Sequence, residues 1–192
     1  MDETRDEAGG RPREARQKQP RKVSPRYLEN AALHYLKRYS ATVSQLKRVL
    51  MRRVDRSLRA HGGDKAEAVG WVDALVEKVV RNGLINDQAY AETKAHSLRA
   101  SGRSARVIAQ KLKLKGVSTD VVAQKVAQAS QELSEEDAAR IWARKKRLGP
   151  FRKDPSTRKD HRQKDLAALA RAGFPFVLAR KVIDGEAEAP RD

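Results

Sequence analysis

Apolar side chains recur at intervals of three and four residues along most of the chain, which is the spacing of amphipathic α-helices. Capping sequences precede several of these segments, such as Ser24 followed by Pro25 and Thr42 with Gln45. Glycines follow the segments, as expected where helices end. No segment alternates apolar and polar residues with a period of two. The pattern therefore predicts an all-α protein built from nine short helices.

Parts of this pattern repeat along the chain. The matching positions are Leu112 with Leu169, Gly116 with Gly173 and, less closely, Leu46 and Leu50 with Ile108 and Leu112. The nine helices then divide into three tandem three-helix repeats at residues 24–84, 85–131 and 132–184. Units this small cannot each enclose a deep core, so we expect them to stack into an elongated, curved body. Chance similarity among short helices of similar composition is the alternative.

Polar segments flank and interrupt the predicted repeats. Residues 1–23 carry many charges and a single branched apolar side chain, Val23, so they are expected to form a disordered basic arm. Residues 185–192 are expected to form a frayed tail. Residues 150–164 are expected to form a basic loop within the third repeat.

Composition narrows the class of protein. The chain of 192 residues contains no Cys, which excludes disulfides, thiolate metal sites and thiol nucleophiles. It has no apolar run long enough to span a membrane, and its polar N-terminus lacks the apolar core of a secretory signal. We therefore expect a cytoplasmic protein. Only 39% of the residues are hydrophobic, which fits small stacked units better than one thick core.

The net charge of +17 is concentrated in two parts of the chain. Residues 140–164 hold 11 basic and 2 acidic side chains, and residues 37–59 hold eight basic side chains against Asp55 alone. Basic runs on helices usually form solvated faces. Here acidic partners at i, i+4 are nearly absent, which favours binding to a phosphate backbone or an acidic protein surface. The candidate binding residues are Lys37, Arg38, Lys47, Arg48, Arg52, Arg53, Arg140, Arg144, Lys145, Lys146, Arg147, Arg152 and Lys153.

No motif in the chain indicates a catalytic centre. The four His are scattered, no closely spaced acidic pair lies in an apolar segment, and there is neither a glycine-rich phosphate loop nor a nucleophile elbow. Most of the aromatic residues fit apolar helix faces, so a stacking platform for single strands is weakly supported. We therefore expect a binding protein with no cofactor or metal, and not an enzyme.

Three motifs follow one another in a fixed order along the chain. Residues 82–91, Asn-Gly-Leu-Ile-Asn-Asp-Gln-Ala-Tyr-Ala, resemble a Gly-hydrophobic-hydrophobic-[Asn/Asp]-Asp-x-x-[Phe/Tyr]-Ala signature, which is that of the RecX family of RecA regulators. Residues 101–117 and 32–50 resemble the stretches that follow and precede it. The likeness covers residues 27–127 well and 134–184 only by pattern. Gln45 replaces the family's usual acid, the 56–65 connection is longer than in many members, and the third repeat is unusually basic.

The resemblance implies three three-helix repeats and no catalytic residue. It also implies that the chain binds the RecA–DNA filament in its helical groove, across neighbouring subunits. Binding would suppress strand exchange, ATP hydrolysis and coprotease activity, and so regulate DNA repair and the SOS response. Binding to single- or double-stranded DNA would be non-specific and secondary, and the chain is expected to be a monomer. The charge alone would also fit a stand-alone DNA-binding protein, either a helix-turn-helix-like regulator or a non-specific nucleic-acid binder.

Overall fold

The computed structural model describes residues 19–185 of the chain. Within that range it contains nine α-helices and no β-strand, which confirms the predicted fold class. The helices are α1 Pro25–Leu36, α2 Val43–His61, α3 Lys65–Arg81, α4 Asp87–Ala100, α5 Ala105–Leu114, α6 Thr119–Glu132, α7 Glu135–Lys146, α8 Arg158–Arg171 and α9 Phe176–Asp184. Two short 3-10 turns, Gly149–Phe151 and Pro155–Thr157, connect α7 to α8. None of the described helices is both long and apolar enough to cross a bilayer.

Side-chain caps fix most of the helix starts. Ser24 accepts a hydrogen bond from the first turn of α1, and Thr42 and Gln45 form a reciprocal capping box at the start of α2. Asp64 and Asn86 cap α3 and α4 in a similar way. Each cap satisfies an amide that the helix leaves without an internal partner, and contributes about 1 kcal/mol. The predicted starts of these four helices are confirmed.

Three separate clusters of buried apolar side chains hold the helices in groups of three. We call α1–α3 the first group, α4–α6 the second group and α7–α9 the third group. The helix pairs in extensive contact all lie within one group. The positions matched in the sequence, Leu46, Leu50, Ile108, Leu112 and Leu169, are all fully buried in these clusters. The apolar periodicity of the sequence therefore identifies the faces that form the core.

The turn between α5 and α6 docks on the N-terminus of α2 and joins the second group to the first. The Thr42 hydroxyl donates a hydrogen bond of 2.5 Å to the Lys115 carbonyl. The Val43 N–H donates to Asp87 Oδ1 at 2.9 Å. Gly116 has a φ of +83° and lies so close to α2 that a Cβ on it would overlap the helix's first turn. We call this contact the first joint.

The turn between α8 and α9 docks on the N-terminus of α5 in the same way. The Ser104 hydroxyl donates to the Ala172 carbonyl at 2.7 Å, and the Ala105 N–H donates to the Glu135 carboxylate at 3.2 Å. Gly173 has a φ of +87°, and a Cβ on it would lie 2.7 Å from Ser104 Oγ. This second joint, like the first, combines an N-cap hydroxyl, a carboxylate at the start of the next group and a glycine turn.

A buried arginine reinforces the second joint. Arg99 on α4 is 1% exposed. Its guanidinium donates to the Leu133 and Arg103 carbonyls at 2.8 and 3.2 Å. It also bonds to Ser130 Oγ at 3.2 Å and to the Glu135 carboxylate. A single side chain therefore connects the second group to the start of α7.

Helix α8 is longer than the sequence pattern predicts. It begins at Arg158, so residues 158–164 of the predicted basic loop are helical. The apolar periodicity fails there because the buried residue Asp165 is charged. When Gly173 is aligned with Gly116, Asp165 corresponds to the core residue Ile108. In that alignment α8 begins earlier than α5 does, so the position that corresponds to the N-cap Ser104 lies inside α8. The third group therefore has no equivalent N-cap on which a further unit could dock.

Most of the predicted arm and most of the predicted tail lie outside the described residues. The described end of the arm contacts α2. The Val23 N–H donates to Ser57 Oγ at 2.8 Å, and the Val23 side chain is buried in the first group's cluster. His61 Nε2 lies 2.5 Å from the Pro20 carbonyl oxygen. Residues 20–23 therefore pack against the first group, with Val23 in its core cluster.

Candidate binding surface

The predicted binding residues form two basic surfaces in different groups. The first basic surface, at the end of α1 and on α2, consists of Lys37, Arg38, Lys47, Arg48, Arg52 and Arg53. The second basic surface, on α7 and the turn after it, consists of Arg140, Arg144, Lys145, Lys146, Arg147, Arg152 and Lys153. The first surface lies in the first group and the second in the third group, and each of these groups is joined to the second group.

Six of these cations have no side-chain hydrogen bond, ion pair or ring contact within residues 19–185, and all six are exposed. They are Lys37, Arg38, Arg48, Arg52, Arg147 and Lys153. Because their charges are not balanced by carboxylates in this part of the chain, they attract anions from outside it. We call these residues the uncommitted cations.

Two members of the first surface are tied to neighbouring helices. Lys47 Nζ lies 2.6 Å from Asp73 Oδ1 on α3. Arg53 Nη1 donates to the Tyr27 hydroxyl at 3.1 Å, and its guanidinium lies 6.0 Å from the centre of that ring. Exposed pairs of this kind contribute between about 0 and 1 kcal/mol, so their main effect is to orient the side chains. On this surface, Arg48 and Arg52 are the cations of α2 that remain without partners in the described chain.

The second surface contains acidic partners that the sequence analysis underestimated. Arg140 Nη2 lies 2.6 Å from Glu136 Oε1, one helical turn earlier. The expectation that partners at i, i+4 are nearly absent is therefore wrong for Arg140. Lys145 Nζ donates to the Ser101 carbonyl at 3.1 Å, and the Arg144 guanidinium lies 5.2 Å from the Phe151 ring centre. These contacts hold the basic face of α7 against the second group and the turn after α7.

Arg152 stabilises the turn after α7 through a buried carboxylate. Its Nε and Nη2 donate to Asp165 at 2.8 and 2.6 Å, and the Gly149 N–H donates to the same carboxylate at 2.8 Å. Burial alone would raise the pKa of Asp165, but the hydrogen bonds from Arg152 and Gly149 outweigh burial and lower the pKa below its ordinary value. The pair therefore stabilises the fold at pH values above about 4, and this contribution is lost as the pH falls through the lowered pKa.

A hollow of about 330 Å³ lies at the end of α7. It is lined by Arg147, Arg152, Lys153, Asp154, Thr157 and His161. Arg147 closes α7 in the left-handed conformation, with a φ of 55°, at a position where glycine is more usual. The hollow places two uncommitted cations, Arg147 and Lys153, on one concave surface.

The structure adds two cations that sequence reasoning missed, Arg103 and Arg171. The Arg103 guanidinium stacks 4.3 Å from the centre of the Trp142 ring, and Lys146 Nζ lies 5.4 Å from the same centre. With Arg171 they line a groove of about 410 Å³ between α5, α7 and α8. Arg103 and Arg171 lie far apart in the sequence and outside the basic runs, so charge clustering alone does not select them.

No group of three or more His, Asp or Glu side chains suited to a metal ion occurs between residues 19 and 185.

Comparison with known proteins relates this architecture to one family. The chain is 71% identical over 182 residues to the regulatory protein RecX of Myxococcus xanthus, a match that covers 93% of this chain and 97% of the relative. The chain belongs to the RecX family. RecX of Agrobacterium fabrum is 32% identical over 167 residues, or 86% of each chain. RecX of Corynebacterium efficiens is 33% identical over 125 residues, which cover 61% of this chain and 59% of the relative.

The family model for the second three-helix domain of RecX matches residues 86–125. These residues begin at the N-cap of α4 and end within α6, so the match falls on the second group. No solved structure matches the chain. The resemblance drawn from the sequence motifs is confirmed, and the chain is a member of a family of regulatory proteins.

Proposed function

We propose that this RecX-family chain binds the filament that the RecA recombinase forms on DNA and inhibits its recombinase, ATPase and coprotease activities. Inhibition would regulate DNA repair and the SOS response in the cytoplasm. The observation that carries the proposal is the presence of two outward-facing basic surfaces on a chain of this family. A nucleoprotein filament offers both acidic protein surface and phosphate to such cations.

The two joints support a bridging mode of binding. Because they link the three groups through side-chain hydrogen bonds, one chain presents the first and second basic surfaces together. Contact with more than one filament subunit would make the binding energy depend on how those subunits are arranged. The chain would then favour an arrangement less competent in ATP turnover. We propose that a monomer suffices for this.

The side-chain contacts divide the predicted binding residues into cations without partners and cations that are already paired. The uncommitted cations have their full charge available for a partner, so we assign the main contacts to them. Arg152 is bonded to the buried Asp165 and supports the turn that carries Lys153. Lys47 and Arg140 are already paired with Asp73 and Glu136, so they contribute less.

Charge reversal at uncommitted cations tests the proposal. One variant combines Arg48→Glu with Arg52→Glu, and another combines Arg147→Glu with Lys153→Glu. We expect each to require roughly tenfold more protein for half-inhibition of RecA ATPase on single-stranded DNA, because charge pairs at an interface contribute on the order of 1 kcal/mol or more. The control combines Lys94→Glu on α4 with Lys164→Glu on α8, which are exposed and outside both surfaces.

The control variant should inhibit as the parent does, and circular dichroism should give the parent's helix content for all three variants. Unchanged inhibition by a folded Arg147→Glu, Lys153→Glu variant would remove the second basic surface from the binding site. Unchanged inhibition by both surface variants would contradict the electrostatic part of the proposal.

We propose direct DNA binding as a secondary, non-specific activity. Exposed Arg and Lys side chains suit phosphate contacts, which position a protein on nucleic acid but do not read its sequence. Such binding should weaken steeply with salt because each phosphate contact releases counterions.

A further inference from the structure

We propose that the groove between α5, α7 and α8 is a docking site for an acidic peptide segment of a partner protein, with an apolar side chain between its carboxylates. The inference rests on the proposed function, which supplies a protein partner for the second basic surface. The groove adjoins that surface at Lys146, which belongs to both.

The charge of the groove is positive and is not balanced locally. Arg103, Lys146 and Arg171 surround it, and none of the three forms an ion pair within residues 19–185. Arg103 and Lys146 are instead held on the Trp142 ring at 4.3 and 5.4 Å. Stacking of this kind orients a cation without neutralising it. The three side chains are therefore available to carboxylates that approach from solvent.

The floor of the groove is aliphatic. Val107 from α5, Leu148 from the turn after α7, and Ala168 and Ala172 from the end of α8 complete the lining. A ligand that was only negatively charged would leave this floor in contact with water. A branched or aromatic side chain placed between the cations would bury it, as apolar anchors do at the centre of protein interfaces.

The same observations disfavour nucleic acid as the ligand. Single strands bind by stacking bases on exposed aromatic faces. The aromatic ring of this groove, Trp142, is half-buried and already carries the Arg103 guanidinium. A sugar–phosphate backbone also offers much less apolar surface than a branched side chain to cover the aliphatic floor. Charge and floor together therefore favour an acidic protein segment.

The walls of the groove are fixed before any ligand arrives. The Ser104 hydroxyl donates to the carbonyl of Ala172, a lining residue, and so ties the start of α5 to the end of α8. Gly102, with a φ of +82°, packs against α7 so closely that a Cβ on it would lie 2.9 Å from the Trp142 backbone nitrogen. A preformed site loses less conformational entropy on binding than one that must first be ordered.

Trp142 fluorescence gives a direct test in the full-length chain. The Trp71→Phe variant leaves Trp142 as the only tryptophan. The probe is an acetylated, amidated heptapeptide with leucine between two runs of three aspartates. The same peptide with serine in place of leucine, and a heptathymidylate, serve as comparisons. We expect a saturable change in Trp142 emission with the leucine peptide. Both comparison ligands should bind at least about fivefold more weakly than the leucine peptide.

Single substitutions assign the response to the groove. Arg103→Gln removes the guanidinium stacked on the Trp142 ring, whereas Arg171→Gln leaves that stacked pair in place. We expect each variant to bind the leucine peptide about fivefold more weakly. Lys94→Gln, at an exposed cation on α4, should leave the binding midpoint unchanged. No saturable response, equal binding of the serine peptide, tighter binding of the heptathymidylate, or an unaffected Arg171→Gln variant would each overturn the proposal.

The chain's own acidic ends are the remaining candidate occupants. Neutralising the acidic residues of segments 2–7 and 186–192 with Asn and Gln should leave Trp142 emission unchanged in the absence of peptide. A change would assign the groove to this chain and overturn the proposal. RecA ATPase inhibition is measured separately, so a failure of the peptide test with intact inhibition would reject the groove and leave the proposed function standing.

Discussion

The first and second joints share a design but differ in what surrounds it. In each, an N-cap hydroxyl, that of Thr42 or Ser104, bonds to a carbonyl in the glycine turn of the following group. Only the second joint contains a buried cation, Arg99, which is 1% exposed. At the corresponding position before Thr42 stands Lys37, which is exposed and has no side-chain partner in the described residues.

The turns that precede the two N-caps add to this difference. Gly102, before Ser104, packs against the backbone of α7, where a Cβ would lie 2.9 Å from the Ile141 side chain. The corresponding residue before Thr42 is Ser40, which is exposed. The orientation of the third group against the second is thus fixed by a buried ionic network and close backbone contact. The first joint has only the N-cap hydroxyl, the carboxylate and the glycine turn that both joints share. We therefore expect the first joint to be the more flexible of the two.

Removing the buried arginine should have the largest effect. Arg99→Met keeps much of the side-chain volume but leaves the Leu133 and Arg103 carbonyls without their donor. We expect the free energy of unfolding to fall by about 3 kcal/mol, because buried acceptors and a carboxylate lose their partner. Urea unfolding followed by Trp142 emission in a Trp71→Phe background measures this. Lys37→Met is the matched control and should change stability by less than about 0.5 kcal/mol. Equal effects at the two positions would remove the distinction between the joints.

A methyl group in the turn of the first joint should have the next largest effect. Gly116→Ala forces an alanine into a left-handed conformation and against the Ser44 side chain. Gly83→Ala imposes a similar φ of +69° where nothing lies within 4 Å of the added Cβ. We expect a loss of about 1 kcal/mol for Gly83→Ala and at least about 1 kcal/mol more for Gly116→Ala. Urea unfolding followed by circular dichroism gives both values. Identical losses would show that the close approach costs nothing.

The N-cap hydroxyls should contribute equally, because they perform the same two tasks in the two joints. Thr42→Ala and Ser104→Ala each remove a helix cap and a bond to the next group, so we expect each to cost about 1–2 kcal/mol. Ser118→Ala is the control, since the Ser118 side chain makes no capping hydrogen bond. It should cost less than about 0.5 kcal/mol. A loss confined to one joint would mean that the two hydroxyls are not equivalent.

Neutralising the two carboxylates should give the smallest effects and isolate the contribution of the arginine. Asp87→Asn and Glu135→Gln both keep an oxygen acceptor and both remove a charge from the first turn of a helix. Only Glu135 also receives a bond from Arg99. We expect a loss of about 0.5 kcal/mol for Asp87→Asn and about 1 kcal/mol for Glu135→Gln, both from urea unfolding. A larger loss for Asp87→Asn would contradict the assignment of the stronger joint.

Local chemistry made much of the fold predictable. Ser24, Thr42 and Asp64 cap the helices that their sequence context predicts, because a cap depends only on the few residues next to it. The match of Gly116 with Gly173 identified two turns that occupy equivalent places in the two joints. The joints themselves were not predicted. They depend on hydroxyl–carbonyl pairs 73 and 68 residues apart in sequence, and such partners leave no local pattern.

The positive charge of the candidate site could be predicted from the sequence, but the side-chain pairs within it could not. The basic runs selected residues that are mostly exposed, as they would be on any such helix. Which of them are free for a ligand depends on contacts across the fold, such as Lys47 with Asp73 and Arg152 with Asp165. The start of α8 was missed for a related reason. Its inward-facing Asp165 is polar, so it interrupts the apolar periodicity on which the helix prediction depends.

Binding of the chain to DNA with and without the recombinase is the most direct test of the proposed function. The same labelled single-stranded DNA, bare or covered by RecA with a non-hydrolysable ATP analogue, is titrated with the chain at physiological salt and followed by co-sedimentation. We predict at least roughly tenfold tighter binding to the filament than to the bare strand. Equal or tighter binding to the bare strand, with a steep dependence on salt, would contradict the proposal and indicate a stand-alone DNA-binding protein.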